Sequence, residues 1–150
     1  MAHIVSINIS EKRGTVKRPV EEARLLCGMG IQGDAHAGDW HRQISILAQE
    51  SIHKMAVRGL EGLTPGTFAE NITTTGIGLH TLPLGARLRL GDCKVEITQI
   101  GKECHRGCEV YRRTGMCVMP REGIFAQVIT GGILRPGDPV EVLPEPRTGS

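Results

Sequence analysis

Apolar and polar positions alternate along most of the chain. Residues 3–9 (HIVSINI), 43–48, 86–90, 94–100, 124–130 and 139–143 each place apolar side chains at every second position. A period of two predicts β-strands with one buried face. Residues 70–76 are Thr-rich and read as a further strand. Residues 15–18 predict a strand that stops before Pro19. One stretch breaks the rhythm. Over 49–58, Ile52, Met55 and Ala56 fall at i, i+3 and i+4, which predicts a short amphipathic helix closed by Gly59. Turn chemistry separates the elements: 11–14, 64–66, Gly91-Asp92, Gly131-Gly132 and Gly137-Asp138. Residues 28–42 predict a long polar loop carrying Asp34, His36, Asp39 and His41. Short strands joined by tight turns indicate a mainly β fold, a closed or partly open barrel with one or two short helices. A single domain over 1–150 is expected, with its core in 3–143 and a flexible tail over 144–150.

Composition narrows the functional classes. The chain has 150 residues, the size of one ordinary domain. Its 20 glycines and 8 prolines have no fixed period, so they serve turns rather than a fibrous repeat. Net charge is +2 with both signs interspersed, and there are four aromatic residues. Neither a basic footprint nor a base-stacking platform is present, so nucleic acid is not an expected partner. No apolar run approaches the ~20 residues of a membrane helix, and the first residues lack the pattern of a signal peptide. A cytoplasmic protein with no membrane partner is expected.

Five cysteines in such a chain imply reduced thiols rather than a disulfide framework. Cys27 and Cys93 stand alone and read as small buried hydrophobes. Cys104, Cys108 and Cys117 cluster. Cys104 follows a strand and has Lys102, His105 and Arg106 around it. Cationic neighbours favour the thiolate, the form that acts as nucleophile and soft-metal ligand. Cys104 is therefore the candidate reactive thiol. A zinc site from Cys104, His105, Cys108 and Cys117 lacks the usual paired spacing. Three residues separate Cys104 from Cys108, not the two of a redox dithiol, though Cys108 or Cys117 could act as a resolving thiol. Asp34, His36 and Asp39 read equally as a metal or catalytic cluster and as turn and capping residues. Asn71 within a strand-like segment reads as a bulge or edge residue.

The ordered set Gly33-Asp34-Ala35-His36-Ala37-Gly38, Gln43-Ile44-Ser45, Gly66-Thr67-Phe68-Ala69-Glu70-Asn71-Ile72, Leu90-Gly91-Asp92, Cys104 and Arg121-Glu122-Gly123-Ile124-Phe125-Ala126 resembles the MOSC domain, the C-terminal module of molybdenum cofactor sulfurases. The match extends over 3–143 and is similar to the short stand-alone bacterial type. The resemblance implies a strand-rich barrel and a role in sulfur transfer or molybdenum cofactor handling. Cys104 would carry sulfur as a persulfide or ligate molybdenum. Asn71 would line the pterin site. Lys102, His105, Arg106 and Arg121, with Asp34 and His36, would complete the cofactor surroundings. The chain has no pyridoxal-phosphate domain, so pyridoxal phosphate would reside on a partner cysteine desulfurase. A sulfurtransferase-like activity would then need that partner, and the acceptor would be the molybdenum cofactor or a molybdoenzyme. Two other readings accompany it: a molybdenum-cofactor reductase of N-hydroxylated compounds with Cys104 as metal ligand, and a non-catalytic adaptor.

Overall fold

The computed structural model describes residues 2–11, 17–35, 37–57, 70–101 and 123–144. The predicted strands appear as β1 (His3–Ile9), β5 (Ile44–Ala48), β6 (Ile72–Thr75), β7 (Arg87–Leu90), β8 (Cys93–Ile100), β9 (Ile124–Thr130) and β11 (Val140–Val142). The predicted helix is α1 (Gln49–Val57). A single 3-10 turn spans Leu79–Thr81. The predicted helix stop at Gly59, the turn at 64–66 and most of the tail lie outside the described residues.

Four elements differ from expectation. β2 (Arg18–Val20) runs through Pro19 rather than stopping before it. It is the outermost strand of its sheet, where a residue without N–H is tolerated. β3 (Ala23–Leu26) and β4 (Gly30–Ile31) were not anticipated, and β4 falls inside the predicted long loop. β10 (Gly132–Leu134) begins at a predicted turn. Gly131 does not reverse the chain there. A Cβ on Gly131 would sit 2.4 Å from the Leu25 carbonyl oxygen, so only glycine lets β9 pass this close to β3. The chain then leaves the large sheet and pairs with β3 in the small one.

The large sheet has the order β11-β7-β8-β9-β5-β6-β1-β2, and the small sheet has β10-β3-β4. The large sheet curls until the segment leading into β11 touches β1. His3 pairs with Pro139, and Ile4 N–H donates to the Asp138 carbonyl at 2.9 Å while Gly137 N–H donates to that of Ile4 at 2.7 Å. This seam is a few bonds rather than a full ladder, so the barrel is partly open. Ile4, Ile7, Ile44, Ile46, Ile72, Leu88, Leu90, Val95, Ile97, Ile124 and Val128 fill its inside. The small sheet adds Leu25, Ile31 and Leu134 to the same core.

β5 and β6 are parallel in an otherwise antiparallel sheet. A parallel pair needs a crossover, and α1 begins it. All five residues of β5 are buried. Ile44 and Ile46 face the core, so Ser45 and Leu47 are buried on the opposite face. The outer face of the barrel is thus covered at β5. At β7, by contrast, Arg87 and Arg89 alternate with buried Leu88 and Leu90.

The loop before β5 is tied down by a buried ion pair. Lys17 Nζ lies 2.8 Å from Asp34 Oδ1, and both side chains are fully buried. The same carboxylate oxygen accepts from Ser10 N–H at 3.1 Å, and Lys17 Nζ also reaches Ser10 Oγ at 3.0 Å. Ala35 N–H donates to the Ser10 carbonyl at 2.8 Å. Removing one partner of such a pair leaves a buried charge uncompensated, at a cost of about 3–5 kcal/mol. Asp34→Ala should lower the urea unfolding free energy by that amount. The double variant Lys17→Met/Asp34→Leu should lose less than the sum of the two single losses.

Candidate functional site

The registers of the sheet align one row of isoleucines on the inside. Ile100 pairs with Ile124, Ile124 with Ile46, Ile46 with Ile72, and Ile72 with Ile7. The neighbouring row points outward and is polar apart from Phe125. Gln99 pairs with Phe125 and Phe125 with Ser45. Ser45 is bonded to Asn71, and Asn71 to Asn8. This belt crosses β8, β9, β5, the start of β6 and β1. It is the strongest concentration of buried polar groups among the described residues.

Asn71, picked from the sequence, sits at the middle of the belt and is fully buried. Its Oδ1 accepts from Ser45 N–H at 3.0 Å and from Ser45 Oγ at 3.3 Å. Its Nδ2 donates to the Asn8 carbonyl at 3.1 Å. Its own N–H donates to the Ser45 carbonyl at 3.0 Å, and its carbonyl accepts from Asn8 N–H at 2.6 Å. Asn8 extends the network. Its Nδ2 reaches the Glu70 carbonyl and Thr73 Oγ1, each at 3.2 Å, while Ser6 Oγ donates to its Oδ1 at 2.6 Å. Thr73 Oγ1 in turn donates to the buried Glu70 carboxylate at 2.9 Å. Asn71 therefore bonds strands to one another.

Asp34, the other picked residue within the described set, lies past the β1 end of the belt, on Ser10. Cys104, Lys102, His105, Arg106, Arg121, Cys108, Cys117 and His36 lie outside the described residues. The segment carrying the cysteines starts from a defined base. β8 ends at Ile100, and Gly101 N–H donates to the Gly123 carbonyl at 2.6 Å. Residues 102–122 thus leave and return at one hydrogen-bonded position beside Gln99.

The loop before β5 runs across this end of the belt. Gln127 Nε2 donates to the Trp40 carbonyl at 2.9 Å, and Thr98 Oγ1 donates to that of His41. Gln99 Nε2 donates to the Gly101 carbonyl at 2.7 Å, which fixes the orientation of its carboxamide. Gln99 Oε1 then faces His41 Nε2 and Arg42 Nε, each at 2.9 Å. An amide oxygen only accepts, so His41 carries its proton on Nε2. The Arg42 guanidinium lies 5.1 Å over the Phe125 ring. In the sequence His41 stands out only as part of a polar loop, and Arg42 and Gln99 do not stand out. The run Trp40-His41-Arg42-Gln43 directly before a strand was the available signal.

Other features are chemically quieter. Burial, with Asp92 and Asp138 nearby, pushes the Cys93 thiol up to about 11, so it stays protonated and inert near neutral pH. Cys27 is exposed and its Sγ rests on the Ile129 carbonyl at 3.1 Å, contrary to the expectation of burial. A cleft of about 360 Å³ opens beside α1, lined by Ala48, Glu50, Ser51, Gly76, Ile77 and His80 among others. Burial raises the Glu50 carboxyl, but hydrogen bonds from the Gly76 and Glu50 N–H groups and from Thr75 outweigh it and hold the group below its usual range. No group of three or more His, Cys, Asp or Glu side chains suited to a metal occurs among the described residues.

The same architecture recurs in solved structures. The YuaD protein of Bacillus subtilis superposes with a TM-score of 0.77 at 20% identity, covering 95% of this chain and 96% of that one. YiiM of Geobacillus stearothermophilus gives 0.76 at 21% identity, covering 96% and 76%. YiiM of Escherichia coli gives 0.71 at 20% identity, covering 97% and 71%. No curated protein matches by sequence. At these identities the likeness concerns the fold. The family model described as "MOSC domain" matches residues 32–141, from the Asp34 loop through the β5, β6, β8 and β9 parts of the belt and the cysteine segment into β11. The chain belongs to the MOSC domain family.

Proposed function

We propose that the protein is a sulfur carrier for molybdenum cofactor maturation, with Cys104 as the working thiol. The observation that carries this reading is the base of the cysteine segment. Gly101 and Gly123 are hydrogen-bonded at the ends of β8 and β9, and Cys104 follows Gly101 by three residues in sequence. A nucleophile carried from the end of a strand has a rigid support and access to a partner. Lys102, His105 and Arg106 beside it in sequence favour the thiolate.

The transfer is a thiol exchange. A cysteine desulfurase partner presents a persulfide. The Cys104 thiolate attacks its outer sulfur, a new S–S bond forms on Cys104, and the donor cysteine leaves as thiolate. In the second step a reducing thiol attacks the Cys104 sulfur, a disulfide forms between them, and the outer sulfur leaves at the sulfide level for a metal–sulfur centre, with the molybdenum cofactor as the acceptor that the family resemblance implies. Among the described residues, Arg42 supplies the cationic hydrogen-bonding side chain that an anionic cofactor needs near this base. The described helices include none long and apolar enough to span a membrane.

Incubating the protein with a cysteine desulfurase and cysteine should add one sulfur atom by intact mass spectrometry. Cys104→Ala should lose that label, and Cys27→Ala should retain it. Undiminished labelling of Cys104→Ala would remove Cys104 from the mechanism.

A further inference from the structure

Arg42 is arranged as a receptor rather than as a surface charge. Its Nε is used by Gln99 Oε1 at 2.9 Å, and one face of the guanidinium is used by Phe125 at 5.1 Å. Gln99 is itself fixed by its bond to the Gly101 carbonyl and by His41. The side chain is half-buried, and its two terminal nitrogens make no bond to any described residue. The fork is thus held in place, with two donors that no described residue engages. A planar fork with two adjacent donors matches two oxygens of one oxyanion. With a ring covering one face, the anion must approach edge-on. Prior fixing by Gln99 and Phe125 removes the ordering cost that a free surface arginine would incur on binding.

We propose that Arg42 is the anchor of a phosphate-monoester site on the outer face of β8 and β9, with Gln99 and His41 as positioning residues. A dianionic phosphate gains more from a single fixed guanidinium than a carboxylate of one charge does. The receptor stands independently of the persulfide chemistry. That its phosphate is the one on the pterin cofactor rests on the reading above.

The test is calorimetric titration with inorganic phosphate, with sodium acetate as the carboxylate control, at fixed ionic strength. The wild type should bind phosphate more tightly than acetate. Arg42→Gln should weaken phosphate by about tenfold or more. Arg42→Lys, which keeps the charge but not the fork, should fall between them. Gln99→Ala should weaken phosphate without removing any charge, and Cys104→Ala should bind it as the wild type does. Thermal melts confirm that each variant is folded. A parallel titration with molybdenum cofactor released from a molybdoenzyme separates the sources. Weakening of both ligands by Arg42→Gln assigns the site to the cofactor phosphate, and weakening of phosphate alone assigns it to a smaller phosphorylated metabolite. Equal phosphate binding by folded Arg42→Gln, or tighter binding of acetate than phosphate by the wild type, would overturn the proposal.

Discussion

One carboxamide holds together the three strands on which the rest of the outer face depends. β1, β5 and β6 come from distant parts of the chain, and β5 and β6 run parallel. The regular β5–β6 ladder begins only at Ile46 and Ile72. Before that point the Asn71 side chain takes over, accepting from Ser45 N–H on one side and donating to the Asn8 carbonyl on the other. It behaves as an extra peptide unit inserted between strands. Buried backbone groups must find partners, and here a side chain completes the set. Asn8 repeats the device one strand further on, through Glu70, Thr73 and Ser6.

This polar knot explains why the barrel has two different surfaces. At β7, charged residues alternate with core residues and the outer face is wet. At β5, both faces are dry and the outward residues are Ser45 and Leu47. Buried polar networks of this kind fix geometry better than an apolar layer would, because every alternative packing strands a donor or acceptor. The same belt ends at Gln99, which bonds Gly101, and Gly101 meets Gly123 at the base of the cysteine segment. The hydrogen-bonded belt therefore reaches the Gly101–Gly123 contact that flanks residues 102–122. Gly30 shows how tightly the loop before β5 is drawn in. Its φ is +122°, and a Cβ there would lie 2.6 Å from the Gln43 carbonyl oxygen.

The long strands were legible because each carries several turns of a period-two pattern. β8, at CKVEITQI, and β9, at IFAQVIT, are unambiguous. β3, β4 and β10 have four, two and three residues, too few to display a period; β3 pairs with β4 close by, but with β10 only across about a hundred positions of sequence. Glycine at 131 reads locally as a turn, yet its role is to admit a neighbouring backbone. At the site, Asp34 and Asn71 stand out in the sequence through their place in motifs of the family, and both side chains prove to be buried. Their contacts were not readable. Lys17 pairs with Asp34, and Gln99 with Arg42, over separations that no local spacing encodes. The cysteine segment stands out by its clustered cysteines, its cationic neighbours, its place after a strand and the family resemblance, and it lies outside the described residues.

The account makes Asn71 a residue that positions strands first, whatever it also contributes to a ligand. Equilibrium urea unfolding of Asn71→Ala measures this directly. Losing the carboxamide leaves the buried Ser45 N–H and the Asn8 carbonyl without it, which predicts a stability loss of roughly 2–4 kcal/mol and faster hydrogen exchange at Ser45. A variant of wild-type stability and wild-type exchange at Ser45, impaired only in cofactor binding, would contradict it.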